Sequence, residues 1–158
     1  MSERKDSYLI DFSNAFKQNL NDMAFITSEM TALEIQKDSL ISQGVAVLIG
    51  ITGKHPGRII FDTSLETATE LSRLINEENN IEQQLVLDTM SEFANIVSGH
   101  TTTLINNANK TMGLMLTPPS IFFGDKITIS SPKINAHILR FNTEIGNITV
   151  SIGFEGGI

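Results

Sequence analysis

Between about Ile81 and Asn109 apolar residues recur at helical spacing without interruption, and this one segment constrains most of what the chain can become. Val86, Met90, Phe93, Val97, Leu104 and Ala108 fall on one side of such a helix. A helix this amphipathic needs a sheet or other helices to cover that side, because isolated helices are marginal in water. On the opposite side stand Asp88, Glu92, Asn95 and Gly99. At about 100° per residue these four project within roughly one sixth of the circumference. An ordinary solvated stripe is padded with Lys and Glu. This one holds two carboxylates, a carboxamide and a glycine. Asn gains nothing in mid-helix, and Gly costs about 1 kcal/mol relative to Ala. Two unfavourable residues on one exposed stripe imply that something approaches closely there.

The remaining pattern predicts the covering layer. Ser7 to Met30 reads as a first helix, with Leu9, Phe12, Phe16, Leu20 and Met23 as its apolar stripe. Ala32 to Lys37 alternates and predicts a strand. Val45 to Thr52 is a continuous β-branched run bounded by Gly44 and Gly53, and reads as a buried strand. Lys54 to Gly57 predicts a turn, and Arg58 to Asp62 the returning strand of a hairpin. Ser64 can cap a helix running to about Ile75, although Thr67 stands where a capping box would place Glu. After a polar link at Asn76 to Asn80 comes the long helix, then strands at Met112 to Thr117, around Ile127 and Ile129, at Ile134 to Phe141 and at Ile145 to Phe154. Pro118-Pro119 stops the first of these, and Asn142 to Gly146 turns the last two into a second hairpin. The expectation is an α+β fold in one domain over residues 1–158, with 1–6 as a loose terminus: an antiparallel sheet with long helices packed on one side.

The two halves share the order helix, strand, hairpin. Asp11-x2-Asn14-x22-Lys37 repeats the spacing of Glu92-x2-Asn95-x22-Pro118, with Ser7 in the place of Asp88. This suggests two pseudo-symmetric halves, with Asp11 and Asn14 as a decayed counterpart of the second-half pair. Glu-x2-Asn by itself is a weak signal, because it also occurs at Glu77 to Asn80 and Glu144 to Asn147. Of the three, only Glu92 to Asn95 lies on a helix with an acid one turn upstream.

Composition narrows the function classes. The chain has 158 residues, 41% of them hydrophobic, and no cysteine. Disulfide and thiolate chemistry are therefore excluded. Eleven basic against 18 acidic residues give a net charge of −7, which argues against nucleic acid and anionic membrane as partners. No apolar run reaches the roughly 18 residues of a membrane span, and no signal sequence opens the chain, so a cytoplasmic protein is expected. His55, His100 and His137 show no metal-ligand spacing, and no metal site is predicted. Ser98 and His100 face different ways on a helix, so they form no nucleophilic pair. The Gly-rich stretch from Gly153 to Gly157 precedes no helix and makes no phosphate loop.

The pattern Asp88-x3-Glu92-x2-Asn95-x22-Pro118, in the helix LDTMSEFANIVSGH, resembles the motif of the CheC, FliY and CheX chemotaxis phosphatases. Asn14-Ala15-Phe16, Ile49 to Gly53 and Thr117 to Ile121 extend the resemblance over most of the chain, and the single intact motif looks most like CheX. The resemblance implies a hydrolase acting on the aspartyl phosphate of a CheY-like response-regulator receiver domain. In it Asn95 would position the attacking water, and Glu92 would pair with a receiver lysine. The resemblance carries over to those two residues only; Asp88 and Gly99, on the same exposed stripe, are expected at the partner contact from their position on the helix. It implies no cofactor of the chain's own, with Mg2+ held by the receiver, and a homodimer joined at sheet edges such as Val45 to Ile51 or Ile148 to Phe154. Two other readings remain: a receiver-binding adaptor without catalysis, and a structural module like those of the flagellar switch.

Overall fold

A computed structural model describes residues 7–36 and 39–156. Lys37, and the terminus expected over residues 1–6, lie outside the described residues. The order of elements is α1 (Ser7–Ala24), β1 (Ser28–Ile35), β2 (Ser39–Ile41), β3 (Val45–Thr52), β4 (Gly57–Thr63), α2 (Leu65–Asn76), α3 (Gln83–Ala108), β5 (Met115–Leu116), β6 (Ser120–Phe123), β7 (Thr128–Ser130), β8 (Ile134–Thr143) and β9 (Gly146–Glu155). No helix among the described residues is long and apolar enough to cross a membrane.

The architecture is α+β, as expected. The main sheet runs β1-β8-β9-β4-β3-β5, with β6 also beside β3, and every pairing is antiparallel. The two predicted hairpins, β3-β4 and β8-β9, meet at the centre through β4 and β9. The flanking strands are exchanged. β1 follows α1 in the first half yet pairs with the second hairpin, whereas β5 and β6 follow α3 yet pair with the first. This is the pseudo-symmetry that the repeated order of elements suggested.

Helix-facing residues of the sheet are those on which strand alternation and burial agree. Val45, Val47, Ile49, Phe61, Phe141, Ile148, Val150 and Ile152 pack with Phe12, Phe16, Phe93 and Val97 in one core. Phe16 stacks on Phe141 at 4.1 Å between ring centroids and meets Phe93 edge-on at 5.8 Å, so α1, α3 and the sheet share one aromatic contact. The far face is covered by the small sheet β2-β7, where Leu40 and Ile129 pack on Ala46, Ile60 and Ile138.

Four expectations need correction. α1 ends at Ala24 rather than Met30: Phe25 takes a left-handed conformation (φ 58°), and pairing with β8 draws the chain into a strand from Ser28. In α3, Leu104 is only half-buried and Ala108 is exposed, while Thr101 and Ile105 are buried. Contact beyond Phe93 advances in steps of four, each overshooting a full turn by about 40°, so the buried stripe winds away from Leu104. The strand expected over Met112 to Thr117 is confined to β5. Lastly, neither strand named as a dimer edge is an edge. β3 lies between β4 and β5-β6, and β9 lies between β8 and β4. Among the described residues the borders of the main sheet are β1, with Met30, Leu33 and Ile35 exposed, and β5-β6 at the opposite side.

Candidate functional site

The site is built on α3, which is anchored from below. Phe93, Ala94 and Val97 are fully buried and Met90 is 1% exposed, so the helix cannot rotate without emptying the core. Its ends are tied as well. Thr89 Oγ1 accepts from Asn76 Nδ2 of α2 at 2.9 Å, and Asn106 exchanges two 2.9 Å hydrogen bonds with the backbone of Leu114. On the outer side Glu92 and Asn95 are exposed, and no hydrogen bond or ion pair within the described residues engages either side chain. A carboxylate and a carboxamide one turn apart are thus held by a rigid support and left unengaged.

Asp88 is exposed, and its carboxylate accepts from Gln84 Nε2 at 2.9 Å, so it is tied along the helix rather than to Glu92. Gly99 is half-exposed, and a Cβ added there would meet nothing within 4 Å. Its glycine is therefore not demanded by packing inside the chain. Gly99 O accepts from Thr102 Oγ1 at 3.1 Å and from Thr103 Oγ1 at 2.9 Å. All four sequence-predicted residues stand on the side of α3 away from the sheet, and α3 carries no Lys or Arg of its own.

Sequence reading did not single out Leu85 and Ile96, which are 39% and 37% exposed on the same side of α3. The available signal was an apolar residue lying off the core stripe.

The edge that carries Pro118 is unusual. β5 pairs with Ile51 and Thr52, and β6 with Val45 to Leu48, with a one-residue shift of register between them. They form one edge strand interrupted by Pro118-Pro119, which offer no N–H to the ladder. Thr117 closes the gap: its N–H donates to Gly50 O at 2.9 Å, and its Oγ1 accepts from Gly50 N at 2.8 Å. A Cβ on Gly50 would lie 2.9 Å from that hydroxyl, so the clamp requires glycine at this position.

The first-half counterpart is built differently. Asn14 is exposed, but Asp11 is half-buried in a cleft of about 650 Å³ lined also by Tyr8, His55, Ile105 and Met112, and burial raises its pKa. Asp11 faces the groove between α1 and α3 rather than open solvent. His100 is half-exposed, with Nδ1 3.0 Å from Asn19 Nδ2 of α1, while Ser98 is fully buried, so the two do not pair.

No curated protein sequence matches this chain. Solved structures do. Crystal structures of a CheX chemotaxis protein from Desulfovibrio desulfuricans (23% identity, TM-score 0.85, covering 94% of this chain and 99% of that one) and of a putative chemotaxis protein from Desulfovibrio vulgaris Hildenborough (27%, 0.84, 94% and 97%) share the fold. A chain of the CheX-CheY-BeF3-Mg2+ complex from Borrelia burgdorferi is 28% identical, with a TM-score of 0.76 and coverage of 94% and 97%. The family model described as chemotaxis phosphatase CheX matches residues 45–142, which include β3, α3 and the interrupted edge strand. The chain belongs to the CheX family of chemotaxis phosphatases.

Proposed function

We propose that this chain hydrolyses the aspartyl phosphate of a CheY-like receiver domain in the cytoplasm, with Asn95 and Glu92 carrying the reaction. The observation that supports this most is the pair itself: an amide and a carboxylate, exposed and unengaged, on a helix whose other face is locked into the core. The similar chain in the Borrelia burgdorferi complex, found with CheY, BeF3 and Mg2+, supports the choice of partner.

An acyl phosphate needs little covalent help. The receiver's Mg2+ offsets the charge of the phosphoryl group, and the transition state is loose, so positioning is the main requirement. The Asn95 amide can hold one water in line with the scissile bond without adding negative charge. As the water oxygen bonds to phosphorus, the bond to the aspartyl oxygen breaks. Carboxylate leaves, and the water's proton goes to the departing phosphate. Glu92, one turn away, accepts a charge-assisted bond from a receiver lysine and fixes the orientation of the partner. Asp88, held by Gln84, and Gly99, with open space above it, border the same contact. The active form is a homodimer joined through the border strand β1.

The test is single-turnover loss of receiver phosphate at varied enzyme concentration, with circular dichroism on each variant. Asn95→Ala should lower the saturated rate by about a hundredfold and leave binding nearly intact. Glu92→Ala should raise the half-saturating concentration about tenfold or more. Asp11→Ala and Asn14→Ala should change neither. Full activity of Asn95→Ala at saturation would overturn water positioning by Asn95, whereas a wild-type chain that binds the receiver without speeding phosphate loss would be an adaptor and not an enzyme.

A further inference from the structure

Leu85 and Ile96 are the large apolar side chains that α3 leaves exposed, at 39% and 37%. They are not scattered. At about 100° per residue the two project within roughly 20° of each other, and Glu92 lies about 20–40° to one side of both. Ile96 is four residues beyond Glu92, the spacing at which side chains on a helix surface touch. Asn95 lies on the far side of Glu92. Across the helix the order is therefore apolar wall, carboxylate, amide. A β-branched residue gains nothing in helix propensity on an outer face, and Ile96 belongs to neither hydrophobic core cluster.

Charge indicates what covers this wall. The helix carries Asp88 and Glu92 and no Lys or Arg, and none of the ion pairs among the described residues includes Glu92. A partner that fits must bring the cation and set apolar side chains beside it. An ion pair left in open water contributes little, whereas one ringed by contacts that exclude water is held far more tightly.

We propose that Leu85 and Ile96 form the apolar wall of the receiver-docking site, shield the Glu92–lysine pair from water, and so select receivers whose lysine is flanked by apolar residues. The inference rests on the receiver reading given above.

The experiment titrates a BeF3-loaded, Mg2+-bound receiver against the full chain. Ile96→Ser and Leu85→Ser should each raise Kd about fivefold to tenfold, with circular dichroism confirming that each variant is folded at the temperature of the titration. Ile96→Leu should recover most of the loss. Ile10→Ser, at a 63% exposed apolar position on α1, should leave Kd at the wild-type value. In a Glu92→Gln background Ile96→Ser should cost clearly less than in the wild type, because there is no charged pair left to shield. Unchanged Kd in both serine variants, or an equal loss in both backgrounds, overturns the proposal. These outcomes are read from binding, whereas the catalytic reading stands or falls on the saturated rate of Asn95→Ala, so the two can fail separately. A wild-type chain that binds no loaded receiver would sink both.

Discussion

At Gly99 the costs to stability and to function run in opposite directions. A methyl group at that position meets nothing within 4 Å in the free chain, so Gly99→Ala gains helix propensity without a clash. The expected gain is about 0.5–1 kcal/mol, measurable by urea denaturation. If a receiver backbone passes over this point, the same change should slow dephosphorylation severalfold. A stabilised variant with an unchanged rate would show that nothing comes close to Gly99. Asn95 and Gly99 drew notice in the sequence because each is a poor choice for the middle of a helix. Leu85 and Ile96 did not, since an apolar residue in an amphipathic helix is read as core unless its angular position is checked one residue at a time.

At the level of elements, capping shows where sequence logic stops. Ser64 was recognisable as an N-cap, and its Oγ does accept from Thr67 N at 3.1 Å. Thr67, the incomplete half of the box, does something the sequence did not announce. Its hydroxyl donates to Ile145 O at 3.1 Å and so ties the start of α2 to the β8-β9 turn. Gly146, at φ 128°, is required beside it, because a Cβ there would run into the Thr67 hydroxyl. Ser64→Ala should therefore cost about 1–2 kcal/mol, near the upper end for a cap, in chemical denaturation. A loss of only a few tenths would mean that Thr67 holds the turn unaided. The hairpins and long helices were readable because periodicity and turn residues agreed. The end of α1, the short strand β2 and the continuation of the edge strand past Pro118-Pro119 were not. Each is decided by a partner strand distant in sequence, namely β8, β7 and β3.

Across the whole molecule the polar residues on the sheet face away from the helices set a pH response. Arg58 is 5% exposed, and burial pushes its guanidinium down to about 10, so it stays charged at neutral pH. It donates to Ser131 Oγ, Ser151 Oγ and Ser151 O at 3.0–3.2 Å. Asp62, 1% exposed, is raised by burial above its ordinary 3.8, even though bonds from Ser42 Oγ at 2.6 Å and from Gln43 oppose the shift. A carboxyl raised in the folded state contributes stability that is present below 3.8 and lost as pH rises through its folded value. Relative to the wild type, Asp62→Asn should therefore gain stability steadily as pH rises through that window, as read from denaturation midpoints at several pH values. A flat or falling difference would show that the hydrogen bonds outweigh burial. The exchange of flanking strands has a consequence for how the chain reaches this state. Because β1 must wait for β8, and β3 is completed only by β5 and β6, neither half can close its own sheet while the other is absent. Loops of about a hundred residues for β1 with β8, and of about 60–80 for β3 with β5 and β6, have to be drawn shut before the edges gain anything, and their closure entropy falls on the rate. During synthesis the first half should therefore persist as a helix and a hairpin with an unsealed border, and commitment to the native state should come only when the last hairpin arrives.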